Sequence, residues 1–228
     1  MIGIIGAMSV EVEALKEMTE NAVTEVVSGV EFVRGILCGK EVVIAKCGVG
    51  KVFAAICAEA MILKYSPDYI INTGVAGSLT RELCVLDVAI SSGVIQHDMD
   101  TSPLGDPRGL LSGINKVELE ASPKLGEIIS KSADAMGIKN RTGIILSGDK
   151  FISESSEKKQ LAEDFGGIAC EMEGASIGHV CYVNGVEFAV IRAISDSLDG
   201  VGSMEFGEFV TAAAKQSQAL VLKILKAI

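Results

Sequence analysis

Short runs that are apolar at nearly every position, rather than at every second one, most constrain how this chain folds. Ile2–Gly6, Tyr69–Asn72 and Phe188–Ile194 are of this kind. A strand wetted on one face alternates polar and apolar residues. A strand apolar throughout is covered on both faces, as in a sheet with helices on each side. Between these runs the apolar period lengthens to that of a helix. Ser9 reads as an N-cap, followed by Val12, Leu15 and Met18 on one helical face. Further helices are predicted over Lys51–Leu63, from Ser122-Pro123 to Met136, over Glu154–Asp164 and Gly174–Val183, and from Phe206 to Leu225. Pro123 takes the first helical position, where its missing N–H costs nothing.

The remaining strands are shorter or less uniform. Val30–Leu37 and Glu41–Cys47 read as a hairpin turning near Gly39, and Val85–Gln96 as one or two strands broken near Ser91-Ser92-Gly93. Thr142–Leu146 and Ile168–Cys170 complete the set. Asp100–Gly113, with Pro103 and Pro107, is the one long irregular segment, a kind that is usually functional or mobile. There is no internal repeat and no linker. The expectation is a single α/β domain over residues 1–228, a three-layer α/β/α arrangement around a central twisted, mixed β-sheet.

Charge narrows the partners. The 20 basic residues are outnumbered by 30 acidic ones, for a net charge of −10, and no basic run offers the footprint a nucleic acid needs. No apolar run reaches the ~18 residues of a membrane span; Val42 to Leu63 is broken by Lys46, Lys51 and Glu59. Met1–Gly6 lacks the basic residues that open a secretory signal, so a cytoplasmic protein is expected. Six cysteines, at 38, 47, 57, 84, 170 and 181, form no CxxC pair and read as reduced thiols, most of them in the core.

In open α/β sheets ligands bind beyond the carboxyl ends of the strands. Met8 and Glu11 follow the first strand, and Gly48-Val49-Gly50-Lys51 follows the hairpin. Thr73-Gly74-Val75-Ala76-Gly77-Ser78 follows Tyr69–Asn72, and Ser147-Gly148-Asp149-Lys150-Phe151-Ile152 follows Leu146. Glu171-Met172-Glu173-Gly174 follows Cys170. Phe188–Ile194, carrying Arg192, ends in Ser195-Asp196. Glycines and carboxylates thus gather on one edge of the sheet, which favours a site over scattered solvated charge.

Each residue alone has a plainer reading. Glu11 is also a first-turn glutamate favoured by the helix dipole, Asp196 a helix N-cap, Arg192 a core arginine paired to a carboxylate, and the apolar residues ordinary packing. Gly48–Lys51 is no phosphate loop, because Val52 stands where Ser or Thr belongs and Ala45 where the first glycine does. Gly3-x-x-Gly6 lacks dinucleotide-binding spacing. With His97 and His179 as its two histidines, the chain is not expected to hold a catalytic metal, and His179, among small residues, reads as packed.

GIIGAM, INTGVAGS, SGDKFI, CEMEGASI and VIRAISDS, in this order and spacing, resemble the methylthioadenosine/S-adenosylhomocysteine nucleosidases of the purine nucleoside phosphorylase superfamily. The resemblance extends to the AAAKQS of the last helix and covers essentially the whole chain. It implies a mixed sheet twisted toward a barrel, no cofactor, an adenine nucleoside as substrate, and a homodimer with the 100–113 loop near the partner's site.

The implied reaction is hydrolysis of an N-glycosidic bond, which needs a proton for the departing adenine and negative charge beside an oxocarbenium-like sugar. By resemblance Asp196 protonates adenine N7, Glu11 deprotonates the attacking water, and Glu173 bonds the ribose hydroxyls, with Arg192 helping to hold the water and Glu173. Phe151 would stack on adenine and the Ile152 backbone would bond its edge. Ala76 and Gly77 would allow close approach, Met172 would pack beside the ribose, and Ser195 would contact substrate next to Asp196. Met8, Val49 and Phe206 would line an apolar 5′ pocket.

Val75 replaces a small polar residue common in the TGxAG segment, and Leu104 stands in a stretch that usually carries an aromatic cap on the 5′ group. These departures leave the 5′ substituent open among methylthio, homocysteinyl, 5′-deoxy and aminofutalosine-type nucleosides. A phosphorylase of the same superfamily is the rival, but Glu11 stands where related phosphorylases carry an arginine. A nucleoside-binding protein without catalysis is the other alternative, and the joint presence of Glu11, Glu173 and Asp196 weighs against it.

Overall fold

Helices cover both faces of the apolar strands, and this two-sided burial organises the molecule. The structure, a computed structural model, describes residues 1–199 and 206–228, the side chains of 206–209 excepted. In chain order it forms β1 (Ile2–Gly6), α1 (Ser9–Glu17), β2 (Glu20–Val27), β3 (Val30–Leu37), β4 (Lys40–Lys46), α2 (Lys51–Tyr65), β5 (Tyr69–Ser78) and β6 (Val88–Gln96). After a 3-10 turn at Ser102–Leu104 come β7 (Leu119–Glu120), α3 (Pro123–Asp134), β8 (Asn140–Ser147), α4 (Ser155–Phe165), β9 (Gly167–Glu171), α5 (Gly174–Asn184), β10 (Glu187–Asp196) and α6 (Phe206–Ala227).

All the strands join one mixed sheet. At its centre β5 pairs in parallel with both β1 and β10. β10 runs antiparallel to β6, β6 parallel to β8 and β8 parallel to β9. β9 then returns antiparallel to β5 through Gly77 and Ser78, so five strands close into a ring. From β5 the sheet extends outward through β1, β4, β3 and β2. The α/β class read from the sequence holds, and the closure agrees with the twist toward a barrel that the resemblance implies.

Successive residues in a strand point to opposite faces, and here both directions are buried. Ile4, Ile71, Ala189 and Ile191 pack with Val12, Leu15, Leu125, Ile129, Leu220 and Ile224 of α1, α3 and α6. Their neighbours Ile5, Ile70, Phe188 and Val190 pack with Cys57, Met61, Ala175 and Ile177 of α2 and α5. Each fully buried aliphatic side chain contributes roughly 1.5–3 kcal/mol, which is why such strands tolerate few polar interruptions.

Several expectations need correcting. The cap of α1 is Met8, not Ser9; the chain turns one residue earlier because Glu11 Oε2 accepts the Met8 N–H at 2.9 Å, one half of a capping box. Strand β2 was not expected. It is an edge strand with Val23 and Val26 exposed, so it lacks the alternation that betrays a half-buried strand. Its hairpin turn does have a signature, Ser28 and Gly29 both at positive φ, as a two-residue I′ turn requires. Residues 73–78, placed after the strand Tyr69–Asn72 in the sequence reading, continue that strand as β5. β6 is one strand, with a register shift between Ser91 and Gly93.

Gly178 of α5 sets how closely that helix approaches the sheet, since a Cβ there would lie 2.8 Å from both Phe188 Cζ and Val94 Cγ2. Gly178→Leu is expected to cost about 1–3 kcal/mol by overpacking, lowering the Tm by several degrees at ~2–4 °C per kcal/mol. An unchanged thermal melt would refute this packing role.

Candidate active site

A cleft of about 420 Å³ opens at the carboxyl ends of β1, β5, β9 and β10. Its floor carries Glu11, 3% exposed. Three backbone N–H groups converge on that carboxylate: Ala7 at 2.7 Å and Met8 at 2.9 Å on Oε2, and Val75 at 3.2 Å on Oε1. A Cβ at Gly74 would lie 2.6 Å from Glu11 Oε1, so this glycine makes room for the acid and serves no turn. Burial raises the Glu11 pKa above its ordinary value, opposed by the charge of Arg192 and by the three backbone donors.

Glu173 enters from the start of α5, and its Oε1 accepts the Gly50 N–H at 2.8 Å. Burial and the neighbouring Glu171 carboxylate push its pKa up to about 7, against the pull of Arg192. Asp196 closes a third side at the end of β10, so the N-cap alternative does not apply. Its Oδ1 accepts the Ser195 hydroxyl at 2.8 Å and its Oδ2 accepts the ammonium of Lys158. A Cβ at Gly77 would lie 2.8 Å from Asp196 Oδ2; Gly77 therefore accommodates the carboxylate.

The cleft brings together most of the residues singled out in the sequence. Met8 and Val49 line it from the ends of β1 and β4, Ala76 and Gly77 from β5, Phe151 and Ile152 from the segment after β8, and Met172 and Ser195 beside the acids. Phe151 is half exposed at the mouth while Ile152 is buried. Phe206 opens α6, and its side chain lies outside the described residues. The 100–113 loop does not line the cleft; it is held by Thr101 to Asp106 at 2.8 Å and Arg108 to Asp164 at 2.5 Å, with Leu104 84% exposed.

Arg192 is a correction. It lies behind the cleft wall, where its Nη2 donates to Glu171 Oε2 and Asn72 Oδ1, and its Nη1 to the carbonyls of Ile191 at 3.0 Å and Asn72 at 3.3 Å. Its partner is Glu171 and not Glu173, so its effect on the cleft is that of a buried charge. Sequence reasoning left Glu171 without a role. Besides Arg192, its carboxylate accepts the Ser147 hydroxyl and the N–H groups of Glu173 and Gly174, at 3.0 and 2.8 Å on Oε2, which fixes the turn presenting Glu173. The alternation Glu171-Met172-Glu173 was the available signal, but the backbone bends at Glu173 (φ −135°, ψ −39°), so the two acids do not share a face.

The His97–Asp100 run forms a clamp. Asp98 bonds Lys51 Nζ at 2.7 Å and the Asp149 N–H at 2.9 Å, while Asp149 Oδ1 accepts the Lys51 N–H at 2.8 Å. All six cysteines are free thiols, with Cys84 exposed. His179 is half-buried beside Gln96, 3.2 Å from its amide.

The strand-end carboxylates and the ring-closed sheet define a phosphorylase-type α/β protein. The family model described as the phosphorylase superfamily matches residues 1–226. A Shewanella halifaxensis protein named 5′-methylthioadenosine/S-adenosylhomocysteine nucleosidase is 40% identical over 227 residues, 99% of this chain and 98% of its own length. The crystal structure of the Neisseria meningitidis nucleosidase of that name, in complex with methylthio-immucillin-A, superposes with a TM-score of 0.94 at 34% identity, covering 100% of this chain and 99% of that one. A futalosine hydrolase from Helicobacter pylori superposes at 0.93 with 31% identity, covering 100% and 97%. The chain belongs to the phosphorylase superfamily and, within it, to the 5′-methylthioadenosine/S-adenosylhomocysteine nucleosidase family.

The raised pKa of Glu173 has a consequence for stability. A carboxyl that binds its proton more tightly in the folded state than in the unfolded one stabilises the fold at low pH, and this contribution is lost as pH rises from about 4.5 through about 7. Glu173→Gln keeps an acceptor for Gly50 and never ionises. Its Tm is expected to exceed that of the wild type at pH 8 and to match it near pH 4.5, as read by calorimetry across that range. Equal melting at both pH values would contradict the environment assigned to Glu173.

Proposed function

We propose that the cleft hydrolyses the N-glycosidic bond of 5′-methylthioadenosine and S-adenosylhomocysteine, releasing adenine and a 5-thioribose sugar. The observation that carries this reading is Glu11. A carboxylate held by three N–H groups on the cleft floor repels a phosphate nucleophile and suits a water, so hydrolysis is favoured over phosphorolysis. The family's named members support the substrate, and the mainly apolar lining at Met8 and Val49 suits a thioether better than a charge.

In this reading Glu11 takes the proton of the attacking water, and the burial that raises its pKa makes it a better base. Glu173 bonds the ribose hydroxyls. Asp196 delivers a proton to adenine N7, so that the base leaves neutral. Phe151 stacks on the adenine and Ile152 offers its backbone to the ring edge. The buried charge of Arg192 offsets Glu11 and Glu173, which share the cleft with Asp196.

The same reading gives a cytoplasmic homodimer. Six free thiols fit a reducing compartment. Val52, Phe53 and Ile56 leave an exposed apolar stripe on α2 beside the cleft, and the 100–113 loop would reach the partner's cleft from that side.

Incubation with methylthioadenosine in phosphate-free buffer, followed by chromatography, tests the reaction: free adenine and methylthioribose are expected. Release only after phosphate is added would make the protein a phosphorylase. Glu11→Gln and Asp196→Asn are expected to retain nucleoside binding and lose about 10²–10⁴-fold in turnover. Near-parental rates in both would overturn the assigned roles.

A further inference from the structure

Asp196 is asked to give a proton, yet it is held as a proton acceptor. Both of its carboxylate oxygens are engaged by donors, Oδ1 by the Ser195 hydroxyl at 2.8 Å and Oδ2 by Lys158 Nζ. A carboxylate has no proton to offer, and the proton-bearing cation on Oδ2 is the Lys158 ammonium. Lys158 is 0% exposed. It lies on the buried face of α4, three residues before Leu161, where an aliphatic residue would ordinarily pack. Its other partner is the Ser197 carbonyl at 2.8 Å. An ammonium taken wholly out of water is costly to keep unless its partners repay the desolvation. Lys158 does not line the cleft, so it reaches a bound nucleoside through Asp196.

We infer that Lys158 is a positioning residue for the reaction, holding Asp196 against the adenine and supplying the proton that Asp196 passes to N7. This rests on the nucleosidase reading given above. As the C1′–N9 bond breaks, its electron pair enters the imidazole ring and N7 becomes basic. N7 takes a proton from Asp196, and Asp196 takes one from Lys158 Nζ, leaving a neutral amine. Water attacks C1′ and its proton passes to Glu11. One proton thus leaves Lys158 and one arrives on Glu11, and exchange with solvent after product release restores both. The pair also explains the glycine at position 77, because a Cβ there would displace the oxygen that faces Lys158.

The test separates delivery of the proton from maintenance of the fold. Lys158→Met and Lys158→Gln are assayed on methylthioadenosine, whose adenine needs protonation, and on p-nitrophenyl 5-methylthioriboside, whose nitrophenolate leaves without it. Binding of 5′-methylthiotubercidin, which has carbon in place of N7, is measured alongside. Turnover of methylthioadenosine is expected to fall about 100-fold, the lower end of a general-acid contribution, with nitrophenol release and tubercidin affinity within threefold of wild type. Retained turnover of methylthioadenosine would overturn the inference. So would a parallel loss of both activities or of tubercidin binding, which would make Lys158 a structural residue. A wild-type protein that cleaves the nitrophenyl riboside but no nucleoside would instead refute the nucleosidase reading.

Discussion

The Glu171 carboxylate is the point on which the active cleft depends. It ties the end of β9 to β10 through Arg192, to β8 through the Ser147 hydroxyl and to the start of α5 through the Glu173 and Gly174 amides. Arg192 in turn reaches β5 at Asn72, whose Nδ2 donates to the Ile5 carbonyl of β1 at 2.9 Å. One buried ion pair therefore links β9, β10, β8, α5 and β5, and two of these elements, α5 and β10, present Glu173 and Asp196 to the cleft. A buried pair is weak evidence for stability, since desolvation offsets most of its attraction. Its consequence here is geometric: the pair ties β9 and β10 together and joins both to β5 and β8.

Around that pair, the cleft holds three carboxylates at close quarters without letting them behave alike. Glu11 is surrounded by backbone donors, Glu173 by one donor and a like charge, Asp196 by a hydroxyl and an ammonium. Differing surroundings are how one site runs base and acid chemistry at a single pH. Glycines at 74 and 77 in β5 allow two of these acids to lie against the strand, so the INTGVAGS segment is shaped by the protein's own carboxylates as much as by any ligand.

Much of this was legible beforehand. The fully apolar strands announced a sheet covered on both faces, and the hairpin at Gly39 has Cys38 and Gly39 at positive φ as its turn demands. The acids at strand ends marked the cleft's edge. Strand β2 escaped notice because an exposed edge strand carries little burial pattern. The continuation of β5 through residues 73–78 escaped because glycine is read as a turn when its close contacts are out of view. Lys158 and Glu171 were illegible for a related reason: a buried charge looks like a solvated one until its partners are known.

The sequence by itself determined the α/β class, the family and the acids at the strand ends, because these rest on local periodicity and on motifs contiguous in the chain. The tertiary structure alone decided which strands close the sheet, that Arg192 serves Glu171 and not Glu173, and that Lys158 stands behind Asp196. Those facts join residues up to 120 positions apart, as Arg192 and Asn72 are. Such pairings are set by strand register and by the need of buried charges to find one another, and no local pattern records either.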